Sequence, residues 1–289
     1  MRKGLAVSAI VVTTMTGIAI LTTQSNARQP PVSARPAALE GTPLESSFEP
    51  AKARVEAPAQ QGHTRVVTKV VNRIPVSASD PQQGPADALV TMVVFGDFQD
   101  KFTRRAAETM GALRQKYGSD LRVVWKNAPL SFHEDARRAA SLALEAFHQG
   151  GDELFWEAHR LLLEHQSALG QADLSNYAAQ LGLDPEQTRE ALALDKYKAK
   201  LDADLALAPR LFPVLTTPLT TINGRFILGA ESLSVFESTI DEELSRAKAQ
   251  LASGTPRAQL YEELTKHGNV EPAKLTTEQQ AAADKVYDL

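Results

Sequence analysis

The sequence predicts an α/β fold in which a strand–helix–strand unit is followed by several helices, a β-hairpin and a closing helix. Two near-continuous apolar runs, at 89–95 and 121–125, are typical of strands buried on both faces of a sheet. The segment 104–117 between them has apolar residues at helical spacing. Later, the dipeptide Asn223–Gly224 separates two short β-type runs, which is the strongest short-range signal for a hairpin.

The elements follow in chain order from apolar periodicity and from the residues that interrupt it. The β-branched segment 65–76 predicts a first strand, and the prolines at 81 and 85 mark a loop after it. Glycines and the Asp184–Pro185 pair separate the helices. Helices are predicted over 104–117, 135–149, 154–165, 174–181, 185–194, 198–207 and 234–252, and strands over 65–76, 89–95, 121–125, 219–222 and 226–228.

Composition places the chain among ordinary soluble globular proteins. It has 289 residues, a formal charge of -4, 23% charged residues and 43% hydrophobic residues. This balance argues against a disordered chain and gives no general reason to expect nucleic acid as a partner. The cysteine count is zero, which excludes disulfides, cysteine metal sites, iron–sulfur clusters and a cysteine nucleophile.

The first 27 residues read as an export signal. Arg2 and Lys3 give a short basic start, an apolar run follows over 5–21, and small residues end the segment. The alternative is an uncleaved N-terminal membrane anchor, although this run is at the lower limit for crossing a bilayer. Either interpretation predicts that the protein acts outside the cytoplasm, in the periplasm or another extracytoplasmic space.

The rest of the chain divides by composition. Residues 28–63 are rich in proline and alanine and predict a flexible linker. The folded domain is expected over 64–252, with a helical insertion at about 135–208. Residues 253–289 are predicted to form a peripheral C-terminal tail, with short helices near 257–266 and 277–287.

Several segments together carry a family likeness. They are GPADALVTMVVFGDFQ at 84–99, VVWKNAPLSFHEDARRAA at 123–140, FWEAHRLLLEHQ at 155–166, Thr217–Pro218, TINGRFILGAESLSVFESTIDEEL at 221–244 and AQLYEELTKHG at 258–268. In this order they resemble the DsbA-like branch of the thioredoxin superfamily, which comprises exported thiol–disulfide oxidoreductases. The resemblance implies a thioredoxin-like fold with a helical insertion.

The sequence departs from that family where its chemistry resides. In the family, the phrase that matches Asp97–Phe98–Gln99 precedes a Cys-x-x-Cys motif at the start of the first helix. Here the next four residues are Asp100, Lys101, Phe102 and Thr103. Thiol–disulfide exchange needs a thiolate and a second thiol, which neither Asp100 nor Thr103 supplies. No catalytic residue is therefore predicted.

A third position agrees with this loss. Family members commonly carry a buried Glu or Asp six residues before the first cysteine, where it relays protons to the thiols. That position is Val94 here. A buried carboxyl group is costly without a partner or a task, so valine is the more stable choice once the thiols are absent.

The peptide-binding part of the family site is retained in the sequence. Thr217 and Pro218 match the cis-proline loop, whose main chain pairs with an extended peptide in the family. The resemblance thus implies a cis bond, and Phe98 and Phe102 are candidates for an apolar surface beside it. The alternative is that these four residues are core or loop residues of an inherited fold.

The histidines give no sign of a metal site. His159 and His165 lie six residues apart, which differs from the i, i+4 pair of zinc-binding helices. His133 is predicted to be a structural or surface residue. No cofactor and no metal are expected.

The leading hypothesis is an exported, redox-inactive module that binds peptides or acts as a chaperone. Its expected partners are extended peptides or unfolded exported proteins, and no nucleic acid. One alternative is a silent scaffold or oligomerisation domain. The other is a non-redox enzyme that reuses Asp100 and Thr103 on the same face.

Overall fold

The computed structural model describes residues 67–211 and 216–270. The predicted export signal or anchor, 1–27, and the predicted linker, 28–63, lie outside the described residues, as does the predicted helix near 277–287.

The described part of the chain contains a six-stranded mixed sheet with the order β1-β6-β5-β3-β4-β2. The strands are β1 (Val67–Val71), β2 (Gln82–Gln83), β3 (Val90–Gly96), β4 (Leu121–Asn127), β5 (Leu219–Ile222) and β6 (Arg225–Leu228). Strands β3 and β4 are parallel, and the other neighbouring pairs are antiparallel. The predicted strand–helix–strand unit is confirmed, because a helix joins the parallel pair.

Seven α-helices accompany the sheet in the described residues. They are α1 (Lys101–Tyr117), α2 (Ala136–Glu164), α3 (Gln171–Gln180), α4 (Pro185–Ala193), α5 (Lys198–Leu211), α6 (Leu233–Ala252) and α7 (Leu260–Thr265). The two helices predicted over 135–149 and 154–165 lie in one span interrupted at Gly151, whose φ of 66° and ψ of -155° are not helical. Within the described residues, no helix has the length and apolar character needed to cross a membrane.

The predicted hairpin is present with the expected turn. Asn223 and Gly224 both have positive φ, 43° and 86°, as a two-residue type I′ turn requires. Asn223 is held by its side chain, which accepts a hydrogen bond from the Thr91 main-chain N–H at 2.9 Å. A Cβ atom on Gly224 would overlap the Asn72 carbonyl, so only glycine fits there.

Strand β3 is buried on both faces, as its apolar run predicts. Met92 and Val94 pack with Trp125 in the larger cluster, which includes residues of α1, α2 and α6. Val93 and Phe95 point the other way, into a smaller cluster that includes residues of α5. The sheet is therefore covered on both sides, and the ends of β3 and β4 are fixed by the core.

A buried charge network joins the sheet to α5. Lys126, on β4, is 4% exposed and places its Nζ 2.6 Å from Asp80 Oδ1. Lys200, on α5, lies 2.9 Å from Asp80 and 2.6 Å from Asp204. Burial acts to raise the pKa of Asp80, but the two lysines outweigh burial and hold this pKa below its ordinary value. Two cations thus balance two carboxylates and anchor the helix that precedes the Thr217–Pro218 loop.

Candidate functional site

The site predicted from the sequence lies where β3 passes into α1. Parallel strands β3 and β4 end side by side, with Gly96 paired to Asn127. Open α/β sheets place their binding crevices at these carboxyl ends. Helix α1 starts at Lys101, three residues before the predicted start at 104, because Asp100 acts as its N-cap with an extended main chain.

Asp100 is the centre of a buried hydrogen-bond network. Its Oδ1 accepts from the Phe102 N–H at 3.1 Å, and its Oδ2 accepts from the Thr103 N–H at 2.9 Å. Oδ2 also accepts from the hydroxyls of Thr103, at 2.8 Å, and Thr217, at 2.9 Å. The first two bonds cap the helix, and the bond to Thr217 links the helix to a loop that is distant in sequence.

The Thr103 hydroxyl group both donates and accepts a hydrogen bond within this network. It is completely buried, donates to Asp100 and accepts from the Asp97 N–H at 3.2 Å. A threonine nucleophile would need its proton held by a base and its oxygen open to a substrate. The Asp100 carboxylate accepts the Thr103 proton, but the oxygen is fully buried and already accepts from the Asp97 N–H, so the arrangement favours a structural role over catalysis.

The Thr217–Pro218 bond is cis, as the resemblance implies. Three of the four predicted peptide-binding residues, however, lie below the surface. Thr217 is 1% exposed and Pro218 is buried. Phe98 is 1% exposed, because its ring packs 5.2 Å from Trp125. Only Phe102 is partly exposed, so the apolar surface predicted from these four residues is mostly core.

Val94 occupies the position of the absent buried acid and is itself fully buried. In the antiparallel pairing of β3 and β5 it lies opposite Thr220, whose buried hydroxyl has no hydrogen-bond partner among the described residues. The neighbouring side chains in its cluster include Phe98 and Trp125. A carboxyl group at this position would meet hydrocarbon and a single hydroxyl, an environment that penalises its charged form.

Asp97 holds a second loop, residues 128–135 and called here the clamped loop, against the start of α1. Its Oδ2 accepts from the Leu130 N–H at 2.7 Å and lies 2.8 Å from His133 Nδ1. Its Oδ1 accepts from the Gln99 N–H at 2.7 Å. Burial raises the pKa of Asp97 despite these bonds. His133, about one fifth exposed, thus has the structural role that the sequence predicts.

The clamped loop presents an aromatic residue that sequence reasoning missed. Phe132 is 67% exposed, and its ring lies 4.6 Å from the ring of His133. A third contact, from the Asp135 N–H to Gln99 Oε1 at 2.9 Å, completes the attachment of the loop. The available sequence signal is a phenylalanine that stands alone among the polar residues of the turn SFHED.

His159 lies in the core beneath the site. Its ring is 4.5 Å from the ring of Trp125 and 5.6 Å from that of Phe98, and its Nε2 has no hydrogen-bond partner in the part of the chain that the structure describes. Burial lowers its pKa to about 3, so the imidazole is neutral near neutral pH. In the described ranges no three His, Asp or Glu side chains cluster in a way that could hold a metal ion.

Comparison with known proteins agrees with this geometry. The family model of the DSBA-like thioredoxin domain matches residues 91–241, which is more than half of the chain and includes the whole α1 N-terminus. The chain belongs to this family. Because the chain has no cysteine, it is a DSBA-like domain without the thiols at positions 100 and 103.

Solved structures share its fold. BdbD from Bacillus subtilis superposes with a TM-score of 0.54 at 23% identity, covering 62% of this chain and 100% of that chain. A thioredoxin-like oxidoreductase from Silicibacter pomeroyi DSS-3 gives 0.51 at 25% identity, covering 57% and 92%. These DSBA-like relatives support the α/β, thioredoxin-like fold with a helical insertion.

Sequence relatives among curated proteins are named Na(+)/H(+) antiporters. NhaA 1 of Salinispora arenicola is 35% identical over 162 residues, which is 56% of this chain and 24% of that protein. NhaA of Nitrosospira multiformis is 35% identical over 150 residues, 51% of this chain and 23% of that protein. The chain thus spans about a quarter of the length of these relatives.

Proposed function

We propose that this chain is an exported DSBA-like protein that has exchanged thiol chemistry for binding extended segments of other proteins. The binding face surrounds the N-terminus of α1 and consists of Phe102, Phe132 and the loops that support them. The observation that carries the proposal is the exposure of Phe132, 67%, on a loop fixed to the old active-site segment.

The fixed position of Phe132 favours recognition. Its loop is attached at Leu130, His133 and Asp135, and all three contacts reach the segment 97–99 that leads into α1. An aromatic ring held in place loses little conformational entropy when a partner covers it. Exposed, preorganised aromatic side chains are typical anchors of protein interfaces.

The hydrogen bonds of Asp100 also support the proposed binding face at the N-terminus of α1. The bond from Thr217 to Asp100 keeps the cis-proline loop against the start of α1. Family members form their substrate face from these two segments, and here the segments stay joined although the cysteines are gone. The expected partners are therefore extended peptides or unfolded exported proteins, bound without a covalent intermediate.

Other activities are less well supported. Disulfide exchange requires thiols that the chain does not contain. The antiport named for the relatives belongs to proteins of which this chain matches about a quarter, so it is not proposed here. A silent scaffold remains the second candidate, and binding experiments separate it from the first.

Binding to an array of extended peptides tests the proposal. Replacing Phe132 with serine is expected to weaken peptide binding about tenfold, because a contact of roughly 1.5 kcal/mol or more from a buried aromatic ring is lost. Leu194, which is 70% exposed at the C-cap of α4, provides the matched control as Leu194→Ser. This control should bind like the natural chain.

Two outcomes would contradict the proposal. If the natural chain binds no peptide, or if Phe132→Ser and Leu194→Ser bind equally well, the α1 face is a silent scaffold. Measurable reduction of insulin by the purified chain would overturn the redox-inactive assignment itself. Circular dichroism of both variants checks that each is folded.

A further inference from the structure

The first two turns of α1 carry an exposed cationic face. Lys101, Arg104 and Arg105 are all exposed, and their spacing of three and four residues places them on one side of the helix. The first turn contains no acidic residue. Lys101 also holds its Nζ 5.0 Å from the centre of the Phe102 ring, which brings charge and aromatic surface together.

Among the described residues, no carboxylate oxygen lies within 4.0 Å of a side-chain nitrogen of these three residues. Exposed cations elsewhere on the described surface are commonly paired. Examples are Lys116 with Glu237 at 3.0 Å and Arg160 with Glu164 at 2.8 Å. The unpaired state of the three cations on α1 does not reflect a shortage of acidic residues, since the chain has 35.

The nearby acidic groups form no ion pair with this face. Asp100 is 7% exposed and its carboxylate accepts four hydrogen bonds, and the Asp97 side chain is completely buried. Glu108 is exposed one turn further along α1, and Glu134 is exposed next to His133. Neither lies within ion-pair distance of a described cation, so neither fixes the position of a cation on this face.

Cations at this place work against helix stability. Positive charge near a helix N-terminus is unfavourable by about 0.3–1 kcal/mol for each group, and this helix has three within its first five residues. The aspartate N-cap offsets part of this cost, and a broken local rule of this kind is typical of a functional site. These cations lie beside Phe102, and the loop that carries Phe132 is attached to the segment 97–99, which leads into the same helix.

We propose that the protein segment bound at this face is acidic and carries an aromatic or aliphatic residue among its carboxylates. The inference rests on the proposed function and adds the chemistry of the partner. Carboxylates would pair with Lys101, Arg104 and Arg105, while the apolar residue covers Phe132. Charge complementarity at an otherwise net-negative protein selects such segments from the many exported chains.

Fluorescence anisotropy with two labelled peptides tests this inference. One peptide alternates glutamate and valine around a single phenylalanine, and the other has glutamine in place of each glutamate. The natural chain is expected to bind the acidic peptide about tenfold more tightly at low salt, and added salt should reduce this preference. The double variant Arg104→Glu/Arg105→Glu should lose the preference.

A charge-matched control is provided by Arg73→Glu/Lys248→Glu. Both residues are exposed and have no ion pair among the described residues, and the double change alters the net charge equally. This variant should keep the preference for the acidic peptide. If it loses the preference as fully as the α1 variant does, net charge and not the α1 face controls binding, and the inference is wrong.

The outcomes separate this inference from the proposed function. Equal binding of both peptides, weakened in each case by Phe132→Ser, would overturn the acidic preference and leave peptide binding intact. Binding of neither peptide would overturn both. If single-stranded DNA or anionic vesicles bind through Arg104 and Arg105 and the acidic peptide does not, the face serves another polyanion and the inference is wrong.

Discussion

Replacing Asp100 with alanine is expected to lower the free energy of unfolding by about 3 kcal/mol. The change removes the helix cap, for which about 1 kcal/mol is typical, and leaves two buried hydroxyls without their acceptor. Those hydroxyls belong to Thr103, which is 0% exposed, and Thr217, which is 1% exposed. Urea denaturation followed by circular dichroism measures the effect.

Asp184 offers a matched control for this variant. It is also an aspartate N-cap, but its side chain accepts a single, exposed hydrogen bond, from the Gln187 N–H at 2.8 Å. Asp184→Ala should therefore cost only about 1 kcal/mol. Equal losses in the two variants would mean that Asp100 is an ordinary cap and that its link to Thr217 contributes nothing.

The protein is expected to lose stability in mild acid because of His159. Its pKa falls from 6.5 to about 3 in the folded state, so the unfolded chain binds a proton that the folded chain excludes. The contribution of neutral His159 to the free energy of unfolding is therefore fully present above pH 6.5 and is lost as the pH falls from 6.5 toward 3. The slope is about 1.4 kcal/mol per pH unit within that window.

Substituting phenylalanine for His159 should remove this part of the acid sensitivity. At pH 5 the natural chain is expected to have lost about 2 kcal/mol, relative to pH 7, that His159→Phe retains. His148→Gln, at an exposed position of the same helix α2, is the control and should follow the natural chain. Parallel pH profiles for the natural chain and His159→Phe would show that the buried imidazole does not control this loss.

Much of the fold could be predicted from local pattern. The run at 89–95 is buried on both faces because its apolar residues have no polar alternation, and β3 shows this burial. The Asn223–Gly224 turn follows from its need for positive φ at two successive residues. In each case a few neighbouring residues determine the local structure, so the sequence contains the needed information.

The start of α1 shows what local pattern leaves out. Apolar spacing begins at 106, which suggested a start at 104, whereas the cap at Asp100 begins the helix at Lys101. The resemblance identifies position 100 only as that of an absent cysteine. The hydrogen bonds of Asp100 show that it caps the helix. The N-cap preference of aspartate was the overlooked signal.

The candidate site was predicted in position but not in exposure. The resemblance names Phe98, Thr217 and Pro218 as candidates for a binding surface, yet all three are buried. Periodicity cannot report such burial, because Phe98 is covered by Trp125 and His159 from other elements. For the same reason Phe132, whose exposure depends on the Asp97 clamp, could not be identified as a surface anchor.

A double-mutant cycle between Asp100 and Thr217 tests most directly whether a structural link has replaced the dithiol. The variants are Asp100→Ala, Thr217→Val and the pair, each measured by urea denaturation. A coupling free energy of about 1.5 kcal/mol is expected, because the two side chains share a buried hydrogen bond of 2.9 Å. Additive effects, with a coupling near zero, would contradict the account.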